Sequence, residues 1–203
     1  MLATKLRYVL TDLYDLPDDS PLFDILGGDL LVRNIPDDNH AELLSETFGL
    51  LRDAQQAGYG RVYTSTRAVA LDYPHRGEEA EDVPHPDLFF IRNGREDLRG
   101  RHALQGVPDL VVEILPPSTR GEHMPGGRLW RAYERNGLPY YWVIDPRART
   151  VTQYALIGEP YASGGHYGDP VVLHEGDVVS SPLFPTVSVP VARLFAHVLR
   201  YED

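Results

Sequence analysis

The run Asp109–Thr119, DLVVEILPPST, constrains the fold more than any other stretch of the chain. It is short, apolar and rich in β-branched residues, and two prolines end it abruptly, which fits a buried strand. Alternation puts Glu113 on one sheet face with Val111 and Leu115, while Val112 and Ile114 face the other way. A lone acid there has two explanations: the outer face of a half-exposed strand, or a metal site. A second strand-like run, Pro86-Asp87-Leu88-Phe89-Phe90-Ile91, also sets a carboxylate, Asp87, among apolar neighbours. Two buried acids on neighbouring strands repel unless a cation or a shared proton lies between them.

The rest of the chain supplies a frame for these two strands. Leu6, Val9, Leu10 and Leu13 fall at helical spacing within Leu2–Tyr14, a helix that Pro17 would stop. Phe23–Val32 reads as a hairpin turning at Gly27-Gly28. His40–Ala57 carries Leu43, Leu44, Thr47, Leu50, Leu51 and Ala54 on one stripe, which predicts a long helix capped by Asp38 or Asn39, with His40 and Glu46 either functional or on its solvated face. Arg61–Tyr73 alternates as a single strand, and the acidic stretch Pro74–Pro84 reads as an exposed loop flanked by His75 and His85, a weak metal pair.

After Ile91 come Arg92, Arg95, Arg99 and Arg101, spread along a loop as phosphate contacts or simply as solvated charge. Arg120–Gly127 is a connection. Arg128–Asn136 is a helix closed by Gly137, with Leu129, Ala132 and Tyr133 facing the core and Arg128, Arg131 and Arg135 forming a basic stripe. That stripe is the best candidate in the chain for touching phosphates, against the plainer reading of an exposed helix face. Tyr140–Asp145 and Thr150–Ile157 form a strand pair, Tyr161–Tyr167 is glycine-rich and flexible, and Val171–Leu173, Val178–Ser180 and Val187–Val189 are short strands before a closing helix at Val191–Leu199. Strands interleaved with two main helices, followed by further strands, predict a single α/β or α+β domain around a mixed sheet.

Composition narrows the chemistry. The 203 residues include no cysteine, which removes disulfides, thiolate zinc sites and cysteine nucleophiles. No run reaches the ~18 apolar residues of a membrane span, so the expectation is a cytoplasmic protein with no membrane partner. A net charge of −11 argues against a general nucleic-acid coat but not against a local basic cleft. Lys5 is the sole lysine. No Gly-x-Ser-x-Gly elbow and no Gly-x-Gly-x-x-Gly after a strand occur, which excludes the common serine hydrolase and dinucleotide enzymes.

Several segments taken together resemble the Uma-two family of restriction endonucleases, in the PD-(D/E)xK nuclease superfamily. They are Leu16-Pro17-Asp18-Asp19, Phe23–Leu30, His40 at the helix start, Pro86-Asp87, Val112–Thr119 and Tyr141–Asp145, in the same order and spanning roughly residues 10–200. The resemblance implies a restriction-endonuclease-like mixed central sheet flanked by helices, with additional C-terminal strands. It implies that Asp87, Glu113 and the Ile114 carbonyl hold Mg²⁺ or Mn²⁺, which makes hydroxide available near neutral pH for in-line attack on a phosphodiester of nucleic acid, DNA in the first instance. A homodimer would suit cutting both strands of a duplex.

The superfamily's lysine is missing. Two residues after Glu113 stands Leu115, and the family's alternative position, four before Tyr133, holds Leu129. Arg128, about 100° round the helix, and His123 are the available stand-ins; arginine supplies charge, and histidine supplies charge or a base. Three functions follow from this: a nuclease, a degenerate nuclease fold that binds or regulates, and a hydrolase of a small phosphorylated substrate.

Overall fold

Gly27 and Gly28 adopt positive φ, 61° and 84°, which a two-residue hairpin turn requires and glycine reaches without strain. They join β1 (Phe23–Leu26) to β2 (Asp29–Val32) in the expected hairpin. The computed structural model describes residues 6–16, 22–33, 36–116 and 120–201. Lys5, the helix stop at Pro17 and the motif residues 17–19 and 117–119 lie outside the described residues.

The first two helices differ from expectation at their starts. Among the described residues, α1 covers Leu10–Tyr14 only, because the Asp12 carboxylate accepts the Val9 N–H (2.7 Å) and fixes the start there, leaving Leu6 fully in solvent. The long helix α2 runs Asp38–Gln56, and its cap is Asp37, which accepts the His40 N–H at 2.9 Å. Asn39, one of the two expected caps, is buried and holds both the N–H and the carbonyl of Leu199. The predicted stripe is otherwise the buried face of α2.

Arg61–Tyr73 is not one strand. It breaks into β3 (Gly60–Thr64) and β4 (Ala68–Ala70), with the Arg67 guanidinium drawn between them to the carbonyls of Gly100 and Ala103. The stretch expected as an exposed acidic loop also folds: α3 (Tyr73–Arg76) is followed by a turn and β5 (Asp82–Val83), which pairs with β1. Its acids are not merely solvated. Glu81 is buried against Arg7 and Arg76, and Asp82 against Arg135 and Asn136.

The chain continues through β6 (Leu88–Arg92), β7 (Ala103–Gln105), β8 (Leu110–Ile114), α4 (Arg120–His123), α5 (Arg128–Arg135), β9 (Tyr140–Asp145) and β10 (Thr150–Ile157). β11 (His166–Tyr167) and β12 (Val171–Leu173) both lie against β10, completing a sheet of order β11-β10-β9-β8-β6-β3. The β8–β9 pair is parallel and its flanking pairs are antiparallel, so the sheet is mixed. Parallel neighbours need a crossover. Here the crossover is the segment carrying α4 and α5.

That crossover decides which sheet face meets which helix. Phe89, Val111, Tyr141 and Val143 pack against Leu129, Ala132 and Tyr133 of α5, while Phe90, Val112, Trp142 and Ile144 pack against α2 and the C-terminal segment. Glu113 belongs to the α5 face with Val111 and Leu115, as alternation requires. The segment expected to be flexible is tied down: Arg95 lies 3.7 Å from the Tyr161 ring centre, the Tyr161 hydroxyl donates to Asp109, and Tyr167 is buried in β11. β13 (Val178–Ser180) and β14 (Ser188–Pro190) form a final hairpin, and α6 ends at Leu194, not Leu199, with Phe195 and Val198 still buried beyond it.

Candidate active site

The antiparallel register of β6 and β8, with Leu88 opposite Val112, sets Asp87 across from Glu113. Both side chains are almost wholly buried. They meet at the floor of a cavity of about 150 Å³. Its walls are built by the hairpin (Asp24, Leu31, Arg33), the start of α2 (His40) and the crossover (His123, Arg128, Leu129).

Asp87 is held from three directions. Arg33 Nη2 donates to Oδ1 at 2.8 Å, while His40 Nε2 (3.0 Å) and the Ile114 N–H (2.8 Å) donate to Oδ2. Burial pushes the Asp87 carboxyl up, but the His40 hydrogen bond and charge, Arg33 and the Ile114 amide outweigh it and bring it down to about 2. Glu113 is less well served. Tyr133 OH donates to Oε1 at 2.6 Å, and among the described residues Oε2 has no hydrogen-bond partner. Burial, and then the charge of Asp87, raise the Glu113 carboxyl well above its usual range.

His123 was expected in a connecting loop. It sits instead on the short turn α4, buried, with Nδ1 unpartnered and 3.9 Å from Glu113 Oε2. Burial lowers its pKa to about 4, so the ring is neutral at ordinary pH. Arg128 lines the cavity but is engaged by Glu122 through its backbone N–H (3.2 Å), Nε (3.0 Å) and Nη2 (2.8 Å). Arg131 bonds the Gly126 carbonyl and Arg135 binds Asp82, and neither lines the cavity. The loop arginines Arg92 and Arg95 are paired with the fully buried Asp109. His75 is exposed, whereas His85 lies against Asp24, so the flanking histidines are not a pair.

Asp24, Arg33 and Tyr133 have no functional role in the sequence analysis, and His40 stands there as either functional or solvated. Of the two readings of His40 the solvated one is excluded: the side chain is buried, with Asp37 capping the helix there and the ring meeting Asp87. The available signal was the hairpin itself, which carries an acid inside an apolar strand at Asp24 and a basic residue, Arg33, just beyond its second strand. Tyr133 was read only as core.

The donor set suits a small hard cation. Among the described residues no three His, Asp or Glu side chains enclose a metal position. An ion would therefore rest on two carboxylates, backbone oxygen and water, which is how Mg²⁺ is commonly bound. The buried, unpartnered Glu113 Oε2 is the oxygen with capacity to spare.

A mixed sheet with a parallel β8–β9 pair, helices on both faces, and an acid immediately before β6 beside one on β8 make a restriction-endonuclease-like fold. The chain belongs to the Uma2 family, described as "Putative restriction endonuclease", which it matches over residues 10–192. A solved structure described as that of "a putative nuclease belonging to DUF820 from Anabaena variabilis ATCC 29413" is similar in fold, with a TM-score of 0.69 at 17% identity, covering 95% of this chain and 99% of that one. No curated protein matches the chain. Among the described residues no helix is long and apolar enough to cross a membrane.

Proposed function

We propose that this chain is a divalent-cation-dependent endonuclease that hydrolyses phosphodiester bonds of nucleic acid, DNA in the first instance, in the cavity floored by Asp87 and Glu113. The single observation that carries the reading is the pairing of these two buried acids across β6 and β8, one of them with an unpartnered oxygen. Asp87, Glu113 and the Ile114 carbonyl would hold Mg²⁺ or Mn²⁺. Such a cation supplies hydroxide near neutral pH and offsets charge at phosphorus.

The chain's own residues do the remaining work. His40 and the Ile114 amide orient Asp87, and Tyr133 orients Glu113 by fixing one oxygen and leaving the other toward the cavity. His123, neutral and buried 3.9 Å from Glu113 Oε2, would take a proton from the attacking water. Arg128, at the cavity wall, would release Glu122 to meet an incoming phosphate, and Arg131, exposed on α5, would meet the flanking strand, while Arg135 stays with Asp82 unless the substrate displaces it.

The test is Mn²⁺-dependent nicking of supercoiled plasmid and cleavage of single-stranded DNA by wild type and Asp87→Asn. Wild type should cut and Asp87→Asn should not. Binding of either DNA with no cutting by wild type would favour the second reading, a nuclease fold retained as a binding module, whose support is the absence of lysine at positions 115 and 129.

A further inference from the structure

Among the described residues the cavity has no lysine, but it has a cation, Arg33, that arrives from the opposite wall. Leu115 and Leu129, at the two positions where a lysine would serve, are apolar and buried. Across the cavity Arg33, at the end of the β2 strand, extends its guanidinium to Asp87 Oδ1 at 2.8 Å and to the His85 carbonyl. It is the arginine nearest the acids by contact, since Arg128, the other guanidinium in the cavity, is engaged by Glu122. Asp24, Asp87 and Glu113 all act on its charge.

From this juxtaposition we infer that Arg33 does the electrostatic work of the missing lysine, stabilising the negative charge that develops on the scissile phosphate. The inference rests on the nuclease reading of the same site. A guanidinium carries five N–H groups, and the two bonds it makes among the described residues, to Asp87 and His85, leave donors for a phosphate oxygen. Its charge is permanent, so it cannot serve as the base. The lysine's two tasks are thereby divided: Arg33 holds charge, and the proton goes elsewhere. The replacement is spatial, from the hairpin, and not positional, from α5.

The experiment compares wild type, Arg33→Lys, Arg33→Met, Leu129→Lys and the double variant Arg33→Met/Leu129→Lys. Single-turnover plasmid nicking is measured with Mn²⁺, and Mn²⁺ affinity is measured separately by the electron paramagnetic resonance of free Mn²⁺. Arg33→Met should lose about 100-fold in rate, as when one transition-state donor is removed, with Mn²⁺ affinity little changed. Arg33→Lys should stay within about tenfold of wild type, and adding Leu129→Lys to Arg33→Met should restore at least about tenfold of the lost rate. Should Arg33→Met fail to fold, Arg33→Gln, which keeps an N–H donor for Asp87, takes its place in both arms.

Full activity in Arg33→Met overturns the inference. So does a rate loss that tracks lost Mn²⁺ affinity, or one that Leu129→Lys does not restore, because Arg33 then only shapes the acids. If wild type is inactive and Leu129→Lys cuts, the inference falls while the nuclease geometry stands. If none of the forms cuts, the nuclease reading itself falls and takes the inference with it.

Discussion

Replacing Glu113 by glutamine should make the metal-free protein more stable, by an amount that grows with pH. Burial and then the charge of Asp87 raise the Glu113 carboxyl well above 4.5 in the folded state. The folded chain therefore keeps a proton that the unfolded chain has released, and stability falls as pH rises from the unfolded value toward the folded one. Within that window each pH unit costs wild type about 1.4 kcal/mol. Glutamine has no proton to lose, and its carbonyl can still accept the Tyr133 hydroxyl that now meets Oε1 at 2.6 Å. The gap between variant and wild type should thus be small near pH 4.5 and widen by about 1.4 kcal/mol, or about 4 °C in Tm, per pH unit. Urea unfolding in EDTA at pH 5, 6 and 7 measures it. Added Mn²⁺ should stabilise wild type alone at pH 7. A gap that is the same at all three pH values, or a variant less stable at pH 7, would refute the reasoning.

Asp87 has the opposite sign. Its folded pKa is held down to about 2 from 3.8, so it stabilises the fold above the unfolded value, and that contribution, about 2 kcal/mol, is lost as pH falls through the folded one. Asp87→Asn should remove this acid limb from a circular-dichroism titration and cost about 3 kcal/mol at pH 7, because Arg33 is left without its carboxylate; an unchanged limb would count against it. Tyr133→Phe should cost about 1–2 kcal/mol in urea unfolding, because it takes from the buried Glu113 Oε1 its hydroxyl donor; an unchanged urea midpoint would show that the bond contributes nothing net.

What was legible in the sequence was the pattern that burial imposes on a strand. Glu113 and Asp87 stood out because an acid inside an apolar alternating run has to be accounted for, and the register of β6 and β8 then brings them opposite one another. The helical stripe of α2, the core face of α5 and the Gly27-Gly28 hairpin were legible for the same reason: periodicity and positive φ are local. What was not legible depends on side chains reaching across the fold. The break in Arg61–Tyr73 is set by Arg67 bonding carbonyls more than thirty residues on, and the ordering of the 161–167 segment depends on Arg95 and Asp109. Arg33 and His40 belong to this class, since neither carries any local sign that it points at Asp87.

The same reach accounts for where the positive charge of so acidic a chain goes. Most of its arginines are not available to coat a nucleic acid. Arg92 and Arg95 are paired with buried Asp109, Arg135 with Asp82, Arg149 with Glu175 and Arg128 with Glu122. Each planar fork suits a carboxylate, which accounts for arginine in these places and gives no reason for lysine. A net charge of −11 spread over such pairs leaves no broad basic track, so any recognition of a phosphodiester must be concentrated where a guanidinium faces more carboxylate than it can neutralise alone. On the proposed reading Arg33 is that place: its guanidinium meets Asp87 in the cavity that Asp24 and Glu113 also line, and a divalent cation would be the counterweight. On the proposed reading the site would hold a fixed cation, Arg33, and an exchangeable one around the same two acids, and a phosphate would enter where both can reach it.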